Sequence, residues 1–321
     1  IAVSTALYNC WKQFEIKIGI MNIIRMTGGL GNQMFQYALY LKLKEMGREV
    51  KFDDVTEYAG RENARPIMLW CFGIDYERAT GKELNTITDG FMRPVDRIRR
   101  KLFGRKSLEY QENGCNFDPV VLQKEPAYLT GYFQSEKYFA DMKDKVRNAF
   151  TFTDRVHKIL KQDGFGPVLD QIEGCESVSV HFRRGDYVSG SAIYGGNCTD
   201  AYYRKAIEEI RKIHPDATFF LFSNDAPYVK EWVRRFYPGD PAFFVIEGSG
   251  EEKGYLDLLL MSRCRHQIVA NSSFSWWGAY LDAFPEKMVF APARWFNNQD
   301  CQDIYTENMI RIDAEGNLED E

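Results

Sequence analysis

The stretch MNIIRMTGGLGNQMFQYALYLKLKEMGREVKFDD (residues 21–54) decides the fold. It begins with a short β-like run, NIIRM (22–26), and continues through the turn-forming sequence GGLGN (28–32). Residues 33–50 then carry apolar side chains at helical spacing, with a glycine near the end of the segment. VKFDD (50–54) reads as the next strand. A strand, a helix and a second strand in this order favour a parallel sheet.

A second series of alternating strands and helices follows from residue 177. The predicted strands are 177–182, 218–225, 242–248, 266–270 and 287–292, and the predicted helices are 199–215, 226–238, 254–264 and 276–284. DGFGPV (163–168) is rich in glycine and separates the two series. We therefore expect two Rossmann-type β/α/β domains that face a cleft, at 21–165 and 166–310. Residues 1–20 are expected to be an extension, with Met21 as the natural start.

Composition narrows the class of protein. The 321 residues are 45% hydrophobic with a net charge of −5, which is typical of a globular protein and argues against general nucleic-acid binding. The seven cysteines are scattered, so we expect free thiols in a reducing compartment. No apolar run approaches the roughly 18 residues of a membrane span. The basic stretch RIRRKLFGRK (97–106) suits either a solvated helix face or contact with anionic lipid.

The sequence HFRRGDYV (181–188) follows a predicted strand, at the sheet edge where α/β proteins bind ligands. If the strand continues, His181 and Arg183 share one face and Arg184 lies on the other. Asp186 can hold an arginine in one rotamer, and a fixed guanidinium is a good bidentate phosphate ligand. The alternative is a pair of solvated surface arginines.

Two later strand ends also carry polar residues. Asp225, next to Asn224, can bind a guanine edge or a ribose hydroxyl, or it can cap the following helix. NSSFSWWG (271–278) offers hydroxyl and backbone N–H groups to an anion, or again only a helix cap with core tryptophans.

The glycine-rich loop fits neither common nucleotide motif. Met34 stands where G-x-G-x-x-G needs its third glycine, and the P-loop lysine and Ser/Thr are absent. We expect Gly29 and Gly31 to form a turn through which the Asn32 and Gln33 amides approach the cleft.

Three motifs together, MTGGLGNQMFQYA, HFRRGDY and IVANSSFSWWGAYL, resemble in order and spacing those of the bacterial α-1,2-fucosyltransferases of glycosyltransferase family 11. The resemblance extends from Met21 to about residue 300, while residues 55–125 match only loosely. It implies a GT-B-like fold, GDP-β-L-fucose as donor, a terminal β-linked galactose as acceptor, and inversion. The N-terminal domain would be the acceptor side, and the location would be cytoplasmic, at most in peripheral contact with a membrane that carries a lipid-linked acceptor.

The resemblance also implies roles for particular residues. Arg183 matches the arginine expected on the donor's β-phosphate, and His181, Arg184 and Asp186 match its neighbours. Asp225 matches the candidate guanine ligand, whereas Asn224 stands where related sequences often carry aspartate. Ser272, Ser273 and Ser275 match a phosphate-side loop, and Gly29, Gly31, Asn32 and Gln33 a loop near fucose or acceptor.

No D-x-D metal-binding motif occurs in the chain, so we expect no metal cofactor, with Arg183 and the helix after Ser275 offsetting the charge of the leaving group. Asp186, then Glu252 and His181, are candidates for the base that accepts the acceptor's proton. Three alternatives stay open: a fucosyltransferase of other linkage, another nucleotide-sugar or dinucleotide enzyme, and a sugar-binding protein without catalysis.

Overall fold

A computed structural model describes residues 21–59, 65–184, 192–248 and 250–319. The expected extension at residues 1–20 and the candidate base Asp186 lie outside these ranges.

The described residues form two parallel sheets. The first contains β1 (Met21–Arg25), β2 (Glu49–Asp53), β3 (Glu109–Gln111) and β4 (Ala127–Thr130) in the order β2-β1-β4-β3. The second has the order β10-β9-β8-β5-β6-β7, and its strands are β5 (Ser177–Phe182), β6 (Thr218–Ser223), β7 (Phe243–Glu247), β8 (His266–Ile268), β9 (Val289–Pro292) and β10 (Met309–Ile312). The predicted class is confirmed: an α/β protein with a GT-B-like pair of Rossmann-type sheets. The predicted series of strands ends with 287–292, and this was wrong, because β10 follows it and forms the edge of the second sheet.

Helices connect most of the consecutive strands, as is usual for parallel pairing, whereas the connections from β3 to β4 and from β9 to β10, both within the described ranges, contain no α-helix. The helices are α1 (Leu30–Glu45), α2 (Gly81–Ile87), α3 (Pro94–Phe103), α4 (Lys143–Ala149), α5 (Asp154–Gln162), α6 (Gly166–Glu173), α7 (Asp200–Ile213), α8 (Ala226–Phe236), α9 (Gly254–Arg263) and α10 (Ser273–Leu281).

Helix α1 begins earlier than the sequence predicts. Gly28 makes the turn with φ 77°, Gly29 is extended, and the Gln33 N–H donates to the Gly29 carbonyl at 3.1 Å. Gly31 and Asn32 therefore belong to the first helical turn and not to the preceding loop.

One hydrophobic cluster runs through both halves of the protein. It joins side chains of the first sheet and α1 to α9, α10 and the second sheet. At its centre the Phe35 ring lies 4.6 Å from the Trp276 ring and 4.9 Å from the Trp277 ring, centroid to centroid. The two sheets are thus fixed to each other through the contact of α1 with α10.

The expectation that all cysteines are free is wrong for two of them. Cys115, in the first half, and Cys301, in the second, form a disulfide, while Cys71, Cys175, Cys198 and Cys264 are free. The two residues are 186 positions apart, so the partnership could not be identified from spacing. Over the described ranges, no helix combines the length and the apolar character needed to cross a bilayer.

Candidate active site

A cleft of about 690 Å³ lies where the carboxyl ends of the strands of the two sheets face each other. We call residues 28–33 and 131–134 the first-half lip. The second-half lip comprises residues 181–184, 223–225 and 271–273. Eight of the predicted site residues line the cleft: Gly29, Gly31, Asn32, His181, Arg183, Asn224, Ser272 and Ser273. Gln33, Arg184, Asp225, Ser275 and Glu252 are not among the lining residues.

The first-half lip is held by hydrogen bonds within the protein. The Asn32 Oδ1 accepts from the Gln134 Nε2 at 2.7 Å and from the Ser273 Oγ at 2.8 Å. The Trp277 Nε1 donates to the Gly31 carbonyl at 3.0 Å. A Cβ on Gly31 would lie only 2.6 Å from the Ser273 carbonyl carbon, so only glycine allows this approach of α1 to α10.

Gln33 does not reach the cleft. Its side chain is fully buried, and its Nε2 donates to the carbonyls of Gly28 and Pro66, both at 3.0 Å. Its Oε1 accepts the Met68 N–H at 2.9 Å. Gln33 therefore fixes the shape of the glycine turn, and the expected ligand role is corrected to a structural one.

The two adjacent arginines, which follow the last residue of β5, point to different sides as expected for an extended chain. Arg183 lines the cleft with His181. Arg184 turns to the other side, where its guanidinium lies 3.7 Å above the centre of the Tyr228 ring. The Arg184 N–H donates to the Asn224 Oδ1 at 3.0 Å and the Asn224 Nδ2 donates back to the Arg184 carbonyl at 3.2 Å, which joins the ends of β5 and β6. Arg183 is thus presented to the cleft from a fixed backbone.

His181 is a buried imidazole at the cleft wall. Burial, and next the positive charge of Arg183, lower its pKa to about 3, so it is neutral near pH 7. Its Nδ1 has no hydrogen-bond partner within the described residues. A group with so low a pKa is a weak base, and it is better suited to exchanging a hydrogen bond with a ligand than to accepting the acceptor's proton.

Three other predicted residues have local structural roles. Asp225 caps α8, where its Oδ1 accepts the Tyr228 N–H at 3.2 Å. Ser272 caps α10 and also faces the cleft. Ser275 is fully buried and donates to the Ala270 and Ser272 carbonyls, both at 3.3 Å, so it is not positioned as a ligand. Ser275 is corrected from a binding residue to one that shapes the turn, whereas Asp225, whose side chain is 42% exposed, stays a predicted guanine ligand beside its role as a cap.

Sequence reasoning missed several residues that line the cleft. They are Arg65, Tyr132, Gln134, Tyr194, Asp257 and Trp295 among others. Asp257 lies in the first turn of α9. The other residues of this helix are mostly apolar, so its sequence predicts a core helix and gives no sign of a carboxylate at the cleft. Arg65 and Tyr132 lie in segments without regular periodicity, which gave no signal.

Within the described part of the chain, one group of two histidines and a glutamate converges, but its hydrogen bonds do not favour a metal ion. The ligand atoms of Glu176, His214 and His266 lie within 4.8 Å of one another, at the amino end of β5 and β8 and so at the sheet edge opposite the cleft. The His266 Nδ1 accepts the Met288 N–H at 3.1 Å, so the proton is on Nε2, which donates to the Glu176 Oε1 at 2.7 Å. This polarity is opposite to that of a metal-bound histidine, whose second nitrogen donates.

Comparison with protein families identifies a profile that matches most of this chain. The profile described as "Glycosyl transferase family 11" matches residues 112–313, which include the arginine pair and the α10 turn.

Three similar proteins illustrate the range of relatives. The chain is 30% identical over 308 residues to the "O-antigen biosynthesis glycosyltransferase WbnK" of Escherichia coli, with 89% of this chain and 99% of that protein covered. It is 31% identical over 297 residues to an "Alpha-1,2-colitosyltransferase" of Escherichia coli, with 91% and 98% covered. It is 27% identical over 261 residues to "Galactoside alpha-(1,2)-fucosyltransferase 1" of Lagothrix lagotricha, with 79% and 63% covered.

Proposed function

Since the chain belongs to glycosyltransferase family 11, we propose that it is an inverting, metal-independent α-1,2-fucosyltransferase. It would transfer L-fucose from GDP-β-L-fucose to the 2-hydroxyl of a terminal β-linked galactose on an oligosaccharide or surface glycan. Relatives named for α-1,2 transfer of colitose and of fucose support this linkage.

The proposal is carried by one observation: Arg183 and the neutral His181 lie next to each other at one wall of the cleft. Negative charge grows on the departing diphosphate as the bond from its β-phosphate oxygen to C1 of fucose breaks. A guanidinium offers two parallel N–H donors to that phosphate, and the N-terminal end of α10 adds a favourable dipole beside it. Arg183 would therefore stabilise the leaving group in the transition state.

The acceptor hydroxyl would attack C1 from the opposite side, and its proton would pass to a carboxylate. Asp186 stays our first candidate for this base. Asp257 lines the cleft and provides the comparison. If Asp186 is the base, Asp186→Asn loses transfer and keeps hydrolysis of GDP-fucose, whereas Asp257→Asn keeps both. Loss of transfer in Asp257→Asn alone would assign the role to Asp257.

Incubation of GDP-fucose with a panel of galactosides tests the function. We expect a product whose NMR spectrum shows an α-1,2 linkage, with an unchanged rate in the presence of EDTA. Another linkage, or loss of turnover on chelation that a divalent ion restores, would contradict the proposal. The same assay is repeated with a donor that carries colitose, a sugar that lacks the 3-hydroxyl of fucose. This donor is the comparison because one relative is named for transfer of colitose. Failure of GDP to raise the melting temperature would favour a sugar-binding protein.

We further propose a cytoplasmic location. The Cys115–Cys301 disulfide opposes it, because disulfides persist mainly in oxidising compartments. Alkylation of thiols in freshly lysed cells, followed by mass spectrometry, tests the location: alkylated Cys115 and Cys301 would support a reducing compartment, and protected cysteines would contradict it.

A further inference from the structure

Helix α3 (Pro94–Phe103) is part of a projection from the edge of the first sheet. The Leu108 N–H donates to the Ile87 carbonyl at 2.9 Å, and the Arg105 Nη2 donates to the Thr88 carbonyl at 2.9 Å, so the chain leaves and returns at one point. The segment then enters β3, which is an edge strand. Pro94 at the first turn and Gly104 after the last residue define the ends of the helix.

The helix is attached to the protein by its charged side. Asp89, which is 2% exposed, is bonded to Arg99 and accepts at its carbonyl from the Arg100 Nη1 at 2.8 Å. The Asp89 Oδ2 accepts the Lys106 N–H at 3.0 Å. Within the ten residues of α3, the buried one is Asp96, whose Oδ2 accepts from the Arg93 Nε at 2.6 Å.

The apolar side of α3 therefore faces outward. Val95, Ile98 and Leu102 follow one another at i, i+3 and i+7 and are 58%, 61% and 65% exposed. Met92 and Phe103, next to this row, are also exposed. A surface helix of a globular protein normally turns this stripe toward the core. Here the orientation is reversed, which marks the stripe as a contact surface.

The charge around the stripe identifies the kind of partner. Residues 93–106 contain seven basic side chains and one acidic side chain, in a chain whose net charge is −5. Arg97 and Lys101 are exposed and lie beside the apolar row. Two copies of this helix would repel each other across a symmetric interface. An anionic bilayer instead attracts the arginines and lysines while it accepts the apolar row.

We propose that α3 is an amphipathic anchor that binds the surface of an anionic lipid bilayer. Val95, Ile98 and Leu102 enter the interface between head groups and acyl chains, and Arg97 and Lys101 lie at the level of the phosphates. The chain enters β3 from α3 at the amino edge of the first sheet, whereas the cleft lies at the carboxyl edge. The bilayer therefore holds the enzyme without covering the cleft.

Co-sedimentation of the full chain with vesicles tests this anchor. We expect binding to equal parts of phosphatidylglycerol and phosphatidylcholine, little binding to phosphatidylcholine alone, and release at high salt. Arg97→Gln combined with Lys101→Gln should weaken binding about tenfold or more. The control Lys158→Gln with Lys161→Gln removes two exposed lysines from α5 and should leave binding unchanged.

A second pair of variants isolates the apolar contribution. Ile98→Ser should weaken vesicle binding about threefold or more, whereas Ile213→Ser should not, although Ile213 is equally exposed at 63%. Both side chains are at the surface, so both variants should keep the wild-type melting temperature and GDP affinity. Absence of vesicle binding, equal loss in variant and control, or light scattering that shows a dimer broken by Ile98→Ser would overturn the anchor.

Discussion

The two lips of the cleft differ in where their polar groups point. On the first-half lip, Asn32 and Gln33 bond to other parts of the protein, and Gly31 allows α1 to touch α10. On the second-half lip, the backbone of Arg184 is hydrogen-bonded to the side-chain amide of Asn224. Arg183 and His181 line the wall of the cleft. The comparison teaches that the glycine-rich motif joins the halves, while the arginine motif presents Arg183 and His181 to the cleft.

Exchanging each arginine for lysine gives the largest expected effect. Arg183→Lys keeps the charge but loses the two parallel donors, so transfer from GDP-fucose should fall about 10²–10³-fold with an unchanged melting temperature. The matched Arg184→Lys acts on a side chain that is stacked on Tyr228 outside the cleft and should cost far less activity. Steady-state rates of both variants measure the difference. Equal losses would remove the distinction between the two arginines.

A methyl group on Gly31 should separate the two halves. Its Cβ would meet backbone atoms of Ser273 and Phe274 at 2.6 and 2.7 Å, and neither can move without α10. We expect Gly31→Ala to lower the free energy of unfolding by about 3 kcal/mol. Gly81→Ala, at a helical position with nothing within 4 Å, is the control and should be neutral or slightly stabilising. Denaturant unfolding measures both, and a Gly31→Ala protein of wild-type stability would contradict the proposed junction.

The pH dependence of stability tests the burial of His181. Its folded pKa of about 3 lies below the value of 6.5 for the unfolded chain, so the unfolded state binds the extra proton on acidification. Between pH 6.5 and pH 5, wild type should lose about 2 kcal/mol more stability than His181→Gln. If the unfolding free energies of the two proteins change equally with pH, the pKa of His181 is the same in the folded and unfolded chain, which would contradict its burial.

Asn32→Ala should have the smallest effect. It removes the acceptor of two hydrogen bonds, one from Gln134 within the first-half lip and one from Ser273 across the halves, which corresponds to about 1–2 kcal/mol of unfolding free energy. Asn113→Ala, at an exposed loop position, is the control and should change stability by less than about 0.5 kcal/mol. If Asn32→Ala instead lowers GDP affinity at full stability, the first-half lip is a ligand surface after all.

Periodic patterns in the sequence predicted those features of the fold that are set by residues close together in the chain. The β-α-β start and the parallel sheets follow from periodicity along single segments, and the opposite directions of Arg183 and Arg184 were predicted by extending the alternation of β5 past its end. The role of Gly31 does not, because its contact is made with Ser273, which is far away in the sequence.

Patterns also fail where packing reverses the usual rule. The spacing of Val95, Ile98 and Leu102 predicts an amphipathic helix, but it cannot indicate that the charged side faces the protein. Arg65 and Tyr132 approach the cleft from segments whose path depends on tertiary contacts, so their positions required the structure.

Calorimetric titration of GDP and GMP into wild type and Arg183→Gln tests the central claim most directly, because the two ligands differ only in the β-phosphate. If Arg183 holds that phosphate, the variant should bind GDP about tenfold or more weakly while its affinity for GMP stays the same. Equal weakening of both ligands, or no change in either, would contradict the assignment of the diphosphate to Arg183.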